Sequence, residues 1–189
     1  MSVIVAGAES RVNTHTASDQ GAPDVTVLPN GKYVVTWHSL NQDGSKYGVY
    51  SQLYHADGTP SGDEARVNSY TLNNQNGQRV TGLPDGGYLI AWQSEGQDGS
   101  VWGTHGQRFA ADGTRVGGEF RVNTGTPDNQ YLPSMAGLAN GGFAVTWTHG
   151  LYLQSTSDVY LRLFDAFGNP VTEDWLVNGT TAGNQDNSK

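Results

Sequence analysis

The sequence predicts an all-β chain of three four-stranded antiparallel units, each 55 residues long. Three observations carry this. Trp37, Trp92 and Trp147 recur at a fixed spacing, and their surroundings recur with them. Arg11-Val12-Asn13 returns as Arg66-Val67-Asn68, as Arg121-Val122-Asn123 and, degenerate, as Leu176-Val177-Asn178. Glycine is abundant (26 of 189 residues) and no window shows a 3.6-residue apolar period, which suits short strands and tight turns. A constant period of this length means one supersecondary unit stacked on itself.

The first copy reads as four strands. Asp24-Val25-Thr26-Val27-Leu28 alternates and ends in Pro29-Asn30-Gly31, where the Asn-Gly step favours positive φ and a tight hairpin. Tyr33-Val34-Val35-Thr36-Trp37-His38-Ser39 follows, with Tyr33, Val35 and Trp37 on one face and Val34 and Thr36 on the other; both faces read as at least half buried. After the polar loop Leu40-Asn41-Gln42-Asp43-Gly44-Ser45 comes Gly48-Val49-Tyr50-Ser51-Gln52-Leu53-Tyr54, closed by Ala56-Asp57-Gly58-Thr59. The last run, Glu64-Ala65-Arg66-Val67-Asn68, is short and polar, as an outer edge strand is. Polarity rising from first strand to fourth suits radially arranged, β-propeller-like blades; a β-trefoil and a β-prism also close with three copies and stay open as alternatives.

The chain is read as a single repeat domain, 1–189. Its units are approximately 11–65, 66–120 and 121–175, with a flanking strand at 3–13 and a C-terminal tail at 176–189. Val5-Ala6-Gly7-Ala8-Glu9 aligns with Pro60-Ser61-Gly62-Asp63-Glu64, so the chain begins on a preceding unit's fourth strand. Three units are fewer than the four to eight blades of a closed ring. Three readings follow: a homodimer closing a six-bladed ring, copies cut from a longer array, or closure as a three-fold barrel or prism.

A formal charge of −8, with 10 Lys+Arg against 18 Asp+Glu, excludes a phosphate-tracking surface and disfavours nucleic acid and anionic membranes. No run approaches 18 apolar residues, so no membrane insertion is expected. There is no cysteine, hence no disulfide or thiolate metal site. The five histidines occupy unrelated repeat positions without HExxH spacing, and no Gly-x-Ser-x-Gly elbow or phosphate loop is present.

The string Arg66-Val67-Asn68, Asp85-Gly86-Gly87-Tyr88, Trp92, Gln97-Asp98-Gly99-Ser100, Trp102-Gly103, Gln107-Arg108-Phe109 and Asp112-Gly113 resembles tandem repeats of large secreted bacterial proteins, the calcium-dependent adhesins and RTX-type surface proteins. The resemblance implies a secreted or cell-surface setting and adhesive or glycan-binding work, and it supplies no catalytic residue set.

The candidate ligand-binding residues are Gln42, Asp43, Ser45 and Tyr47, repeated as Gln97, Asp98, Ser100 and Trp102. Amide, carboxylate and hydroxyl groups beside a ring match a sugar's hydroxyls and its C–H face. The bland alternative is that Asp-Gly and Ser only build the turn. A calcium ion on Asp43 or Asp98 is a further option, although one carboxylate per loop is few for six or more oxygens; no other cofactor is expected. In the third copy Leu153-Gln154-Ser155-Thr156 replaces this motif. The tryptophans read as core, and Glu9, Glu64 and Glu119 as edge ion-pair partners of Arg11, Arg66 and Arg121.

The functional expectation is a non-enzymatic, lectin-like carbohydrate-binding module with a glycan partner. The alternatives are a structural spacer repeat of a large adhesin and a glycoside-acting enzyme domain with an asymmetric carboxylate pair.

Overall fold

The computed structural model describes residues 9–151, 156–183 and 185. Among them there is no helix, and twelve strands follow in order: β1 Gln20–Val27, β2 Tyr33–Leu40, β3 Tyr47–Tyr54, β4 Ala65–Arg66, β5 Gln75–Gly82, β6 Tyr88–Glu95, β7 Trp102–Phe109, β8 Arg115–Arg121, β9 Asn129–Gly137, β10 Phe143–Gly150, β11 Ser157–Phe164 and β12 Trp175–Leu176. The stretch 3–8 of the expected flanking strand lies outside the described residues, as do 152–155, most of the third copy's substituted loop.

Consecutive strands pair antiparallel in three meanders, β1–β4, β5–β8 and β9–β12. One parallel bridge, Trp102 to Asn129, joins the second meander to the third. The fold is all-β and propeller-like: β5 lies against β1, β2 and β3, and β9 against β5, β6 and β7, so each sheet faces the next with first strands adjacent. Among the described residues the sheets form an open arc and do not close.

The hairpin turns differ in detail from the expectation. Gly31, Gly86 and Gly141 adopt φ of +82°, +88° and +87°, while Asn30 does not share the positive φ. Gly31 N–H bonds Leu28 O at 2.9 Å and Leu28 N–H bonds Lys32 O at 2.8 Å. A type I turn closed by a left-handed glycine thus stands where an Asn-Gly pair suggested two left-handed residues. The first strand also starts four residues earlier than its apolar run. A bulge after Gly21 lets the chain re-enter the ladder at Asp24, and bulges recur after Asn76 and opposite Thr146 to Thr148. Each carries a left-handed residue at one repeat position: Ala22, Gly77 and Leu132, with φ of +49°, +63° and +53°.

The core lies between the sheets. Val34, Val49, Leu53 and Val67 of the first unit pack on Val80, Ile90, Trp92 and Phe109 of the second. Leu83, Leu89 and Val122 of the second unit pack on Phe143, Val145, Trp147 and Phe164 of the third. Trp37, Trp92 and Trp147 are 4%, 0% and 1% exposed, as core spacing requires. Beside them one cross-strand aromatic pair repeats: Tyr33–Tyr54, Tyr88–Phe109 and Phe143–Phe164 stack at 5.0, 4.8 and 5.1 Å.

The acids of the repeat do not form the expected edge ion pairs: among the described residues neither Glu64–Arg66 nor Glu119–Arg121 is paired. Glu64 instead accepts from Thr14 N and Oγ1 at 2.6 and 2.8 Å. Glu119 holds Ser69 N and Oγ at 2.5 and 2.7 Å, and Asp174 holds Thr124 at 2.8 and 2.7 Å. Each acid clasps the turn that ends the preceding unit. Two donors aimed at one carboxylate are worth more than a solvated ion pair.

Candidate functional site

The loops between second and third strands sit at the bulged end of the sheets, because β2 and β6 run antiparallel to the first strands. Within them most of the candidate polar groups serve their own unit. Asp43 Oδ1 accepts from Ser45 N at 3.1 Å, and Asp98 Oδ1 from Ser100 N at 3.0 Å, with Gly44 and Gly99 left-handed at +89° and +91°. Gln42 Nε2 donates to Glu64 Oε1 at 2.6 Å and Gln97 Nε2 to Glu119 Oε1 at 2.5 Å. Ser100 Oγ donates to Trp102 O at 3.2 Å.

The second oxygen of Asp98 accepts from Asn123 Nδ2 at 3.2 Å. Asn123 is buried. Its Oδ1 accepts from Thr104 N at 2.8 Å, and its Nδ2 also reaches Gly125 O at 2.7 Å and Gln130 Oε1 at 3.1 Å. Asn68 is held in the same way by Val49 N, Tyr70 O and Gln75 Oε1. This asparagine ties the outer strand to the third strand and to the next unit's first turn. In the third unit the carboxylate comes from elsewhere: Asp158 Oδ1 accepts from Asn178 Nδ2 at 2.7 Å. Asp158 occupies the repeat position of Gly48 and Gly103. A Cβ at Gly48 would lie 2.6 Å from Asp43 Oδ2, and one at Gly103 would overlap the Asp98 carboxylate. One space is filled from the loop in two units and from the strand in the third.

The aromatic members of the two loops part company. The Tyr47 ring packs on His38 at 4.6 Å. Burial lowers the His38 pKa, a hydrogen bond with Gln78 only partly opposing it. Trp102 instead lines a cleft of about 300 Å³ with Asn76, Gln93 and Tyr131, between the second and third units. Gln93 Nε2 donates to Asn76 Oδ1 at 2.9 Å, and Gln93 Oε1 accepts from Leu132 N at 3.1 Å. The bulge creates this arrangement: a Cβ at Gly77 would lie 3.0 Å from the Gln93 amide carbon, and the left-handed turn at Leu132 aims its N–H at Gln93. Among the described residues one Gln93 N–H and the Asn76 Nδ2 group make no hydrogen bond. An indole, a phenol and two oriented amides suit a sugar's C–H face and its hydroxyls. No carboxylate lines the cleft.

Of the eight loop residues, only Trp102 enters this cleft. Asn76, Gln93 and Tyr131 were not among the candidates, and their signal is a departure from the repeat. Asn76 and Tyr131 stand where the first unit has Gly21, and Gln93 stands where the others have His38 and Thr148. Among the described residues no group of three or more His, Asp or Glu side chains could hold a metal ion, and no helix is long and apolar enough to cross a membrane.

No family model and no curated protein matches the chain. Solved structures do match in fold. The chain is similar to an endo-arabinase from Bacteroides thetaiotaomicron (TM-score 0.52, 16% identity, 84% of this chain and 62% of that one). It is similar to an α-L-arabinofuranosidase from Fusarium graminearum in complex with an iminosugar inhibitor (TM-score 0.58, 13% identity, 88% and 53%). A Penicillium chrysogenum α-L-arabinanase complexed with arabinobiose also matches (TM-score 0.56, 19% identity, 84% and 49%). The chain thus spans about half to three-fifths of these proteins' length. The neighbours overturn the expectation of a non-enzymatic, lectin-like module: they handle carbohydrate, and they are enzymes. That expectation rested on the polar-aromatic loop repeated in register and on a resemblance that supplies no catalytic residue set, whereas a carboxylate pair for glycoside hydrolysis is defined by its separation in space.

Proposed function

We propose that the chain is a glycoside-acting domain, with a saccharide seated at Asn76, Gln93, Trp102 and Tyr131. The observation that carries this reading is the cleft itself, in which two fixed amides face two aromatic side chains at the bulged end of the first strands. The propeller-like fold shared with arabinan-acting enzymes supports the reaction class. Glycoside hydrolysis takes two carboxyl groups, so the reaction draws on acids outside these four residues. The glycan partner expected from the sequence fits the same cleft. A secreted or cell-surface bacterial setting, carried by the repeat resemblance, belongs to the same proposal, and no metal enters it. A homodimer completing a six-unit ring finds no support in the arrangement of the units.

The experiment is release of reducing ends from arabinan and other polysaccharides, with arabinobiose binding measured beside it. Wild-type protein releases sugar, and Trp102→Ala lowers kcat/KM at least about tenfold, as losing one stacking contact of about 1.4 kcal/mol requires. No release from any substrate would retire the enzymatic reading. Unchanged kinetics in Trp102→Ala would retire the cleft.

A further inference from the structure

The two ends of the arc are not alike. At the interior junctions, one face of each unit, led by Val34, Val49 and Val67, is sealed by the next unit. On the third unit the equivalent residues, Ala144, Val159 and Val177, face no further unit among the described residues; Val177 is 56% exposed where Val67 and Val122 are 0%. This trailing face has the character of an interior junction left open.

The leading face of the first unit is built differently. Val25 is 60% exposed where Val80 is 8%, so among the described residues it too faces no neighbour. Two features bear on what can dock there. The first is Val27, whose repeat position is glycine in the other units, at Gly82 and Gly137. There the first strands approach so closely that a Cβ at Gly82 would lie 3.1 Å from Val27 O, and one at Gly137 3.1 Å from Gly82 O. A valine puts a Cβ and two methyl groups into that gap. The second is the segment before β1. Tyr54 Oη donates to Val12 O at 3.1 Å and Glu64 clasps Thr14, as Glu119 clasps Ser69 and Asp174 clasps Thr124. Residues 11–14 occupy the place that a preceding unit's tail takes at every interior junction.

We infer that the arc is directional: the trailing face of the third unit is a docking surface for a further unit of this same repeat with glycine in the place of Val27, and Val27 with residues 11–14 is a stop that prevents a second copy from serving as that unit. The established junctions define the acceptor, and the close approach of the first strands defines what it refuses. The inference is independent of the glycoside reading.

Size-exclusion chromatography with light scattering tests it. The wild-type chain runs at its own mass of 20.2 kDa at all concentrations. Val27→Gly combined with Glu64→Ala, which removes the steric stop and loosens the segment, self-associates head to tail, and its mass rises with concentration. Adding Val177→Glu returns it to monomer. Tryptophan fluorescence checks that each variant is folded; if the combined variant is not, Val27→Gly alone is mixed with wild type and read for a complex. A wild-type oligomer, or no association in the folded Val27→Gly proteins, overturns the inference.

Discussion

The exchange of Asp98 for Asp158 between repeat positions makes a quantitative prediction about stability. Asp98→Ala removes the charge-assisted bond to Asn123 and the turn bond to Ser100 N; a hydrogen bond to a charged group contributes about 1.5–3 kcal/mol. Gly103→Asp alone forces a second carboxylate into the space that Asp98 fills, and overpacking of this kind costs about 1–3 kcal/mol. If the two changes were independent, the double variant would lose about 2.5–6 kcal/mol, the sum of those ranges. The third unit shows that the strand position satisfies the asparagine when the loop carboxylate is absent, with Asp158 2.7 Å from Asn178 Nδ2. Asp98→Ala/Gly103→Asp is therefore expected within about 1 kcal/mol of wild type, a coupling of about 1.5 kcal/mol or more between neighbours. Urea denaturation followed by tryptophan fluorescence reads all four proteins. For a domain of this size, each kcal/mol moves Tm by about 2–4 °C, which gives a second readout. Additive losses would refute the shared-space argument and return Asp98 to the ligand-binding role first assigned to it.

Gln93→Ala should weaken arabinobiose binding about tenfold or more by calorimetry, since it removes one donor and frees Asn76, while unfolding shifts by less than about 1 kcal/mol. Ala22→Gly should stabilise the protein by up to about 1 kcal/mol in chemical denaturation, because Ala22 holds φ of +49° where the second unit already has Gly77. Burial raises the Glu64 carboxyl, but the bonds from Gln42 and Thr14 outweigh it and leave its pKa below 4.5. Its contribution to stability is therefore complete above that value and lost as pH falls through the lowered one. Glu64→Gln should accordingly show a smaller loss of Tm between pH 6 and pH 3 than wild type.

The repeat itself was legible in full. Trp37, Trp92 and Trp147 mark core positions, and the alternation around them places Val34 and Thr36 on the opposite face, because in a strand the face of a side chain follows from its parity alone. The bulges were not legible. Ala22 and Leu132 are ordinary L-residues, and in their left-handed conformation Ala22 O accepts from Gln78 of the next unit while Leu132 N donates to Gln93 of the preceding one. The bonding of the loop side chains was not legible either, for a related reason. Gln42, Asp43 and Gln97 have the chemistry of a sugar site, but whether an amide points to solvent or to Glu64 depends on a residue 22 positions away.

By itself, then, the chain's sequence determined the three registered units, their strand faces and the place of the tryptophans, since each follows from spacing within a few residues. The tertiary structure alone decided which sheet meets which, that Asn76, Gln93, Trp102 and Tyr131 share one cleft, and that the first strands come close enough to set a Cβ at Gly82 3.1 Å from Val27 O. Those facts depend on how close two strands 55 residues apart are brought, and contacts between residues so far apart along the chain leave no local pattern to read.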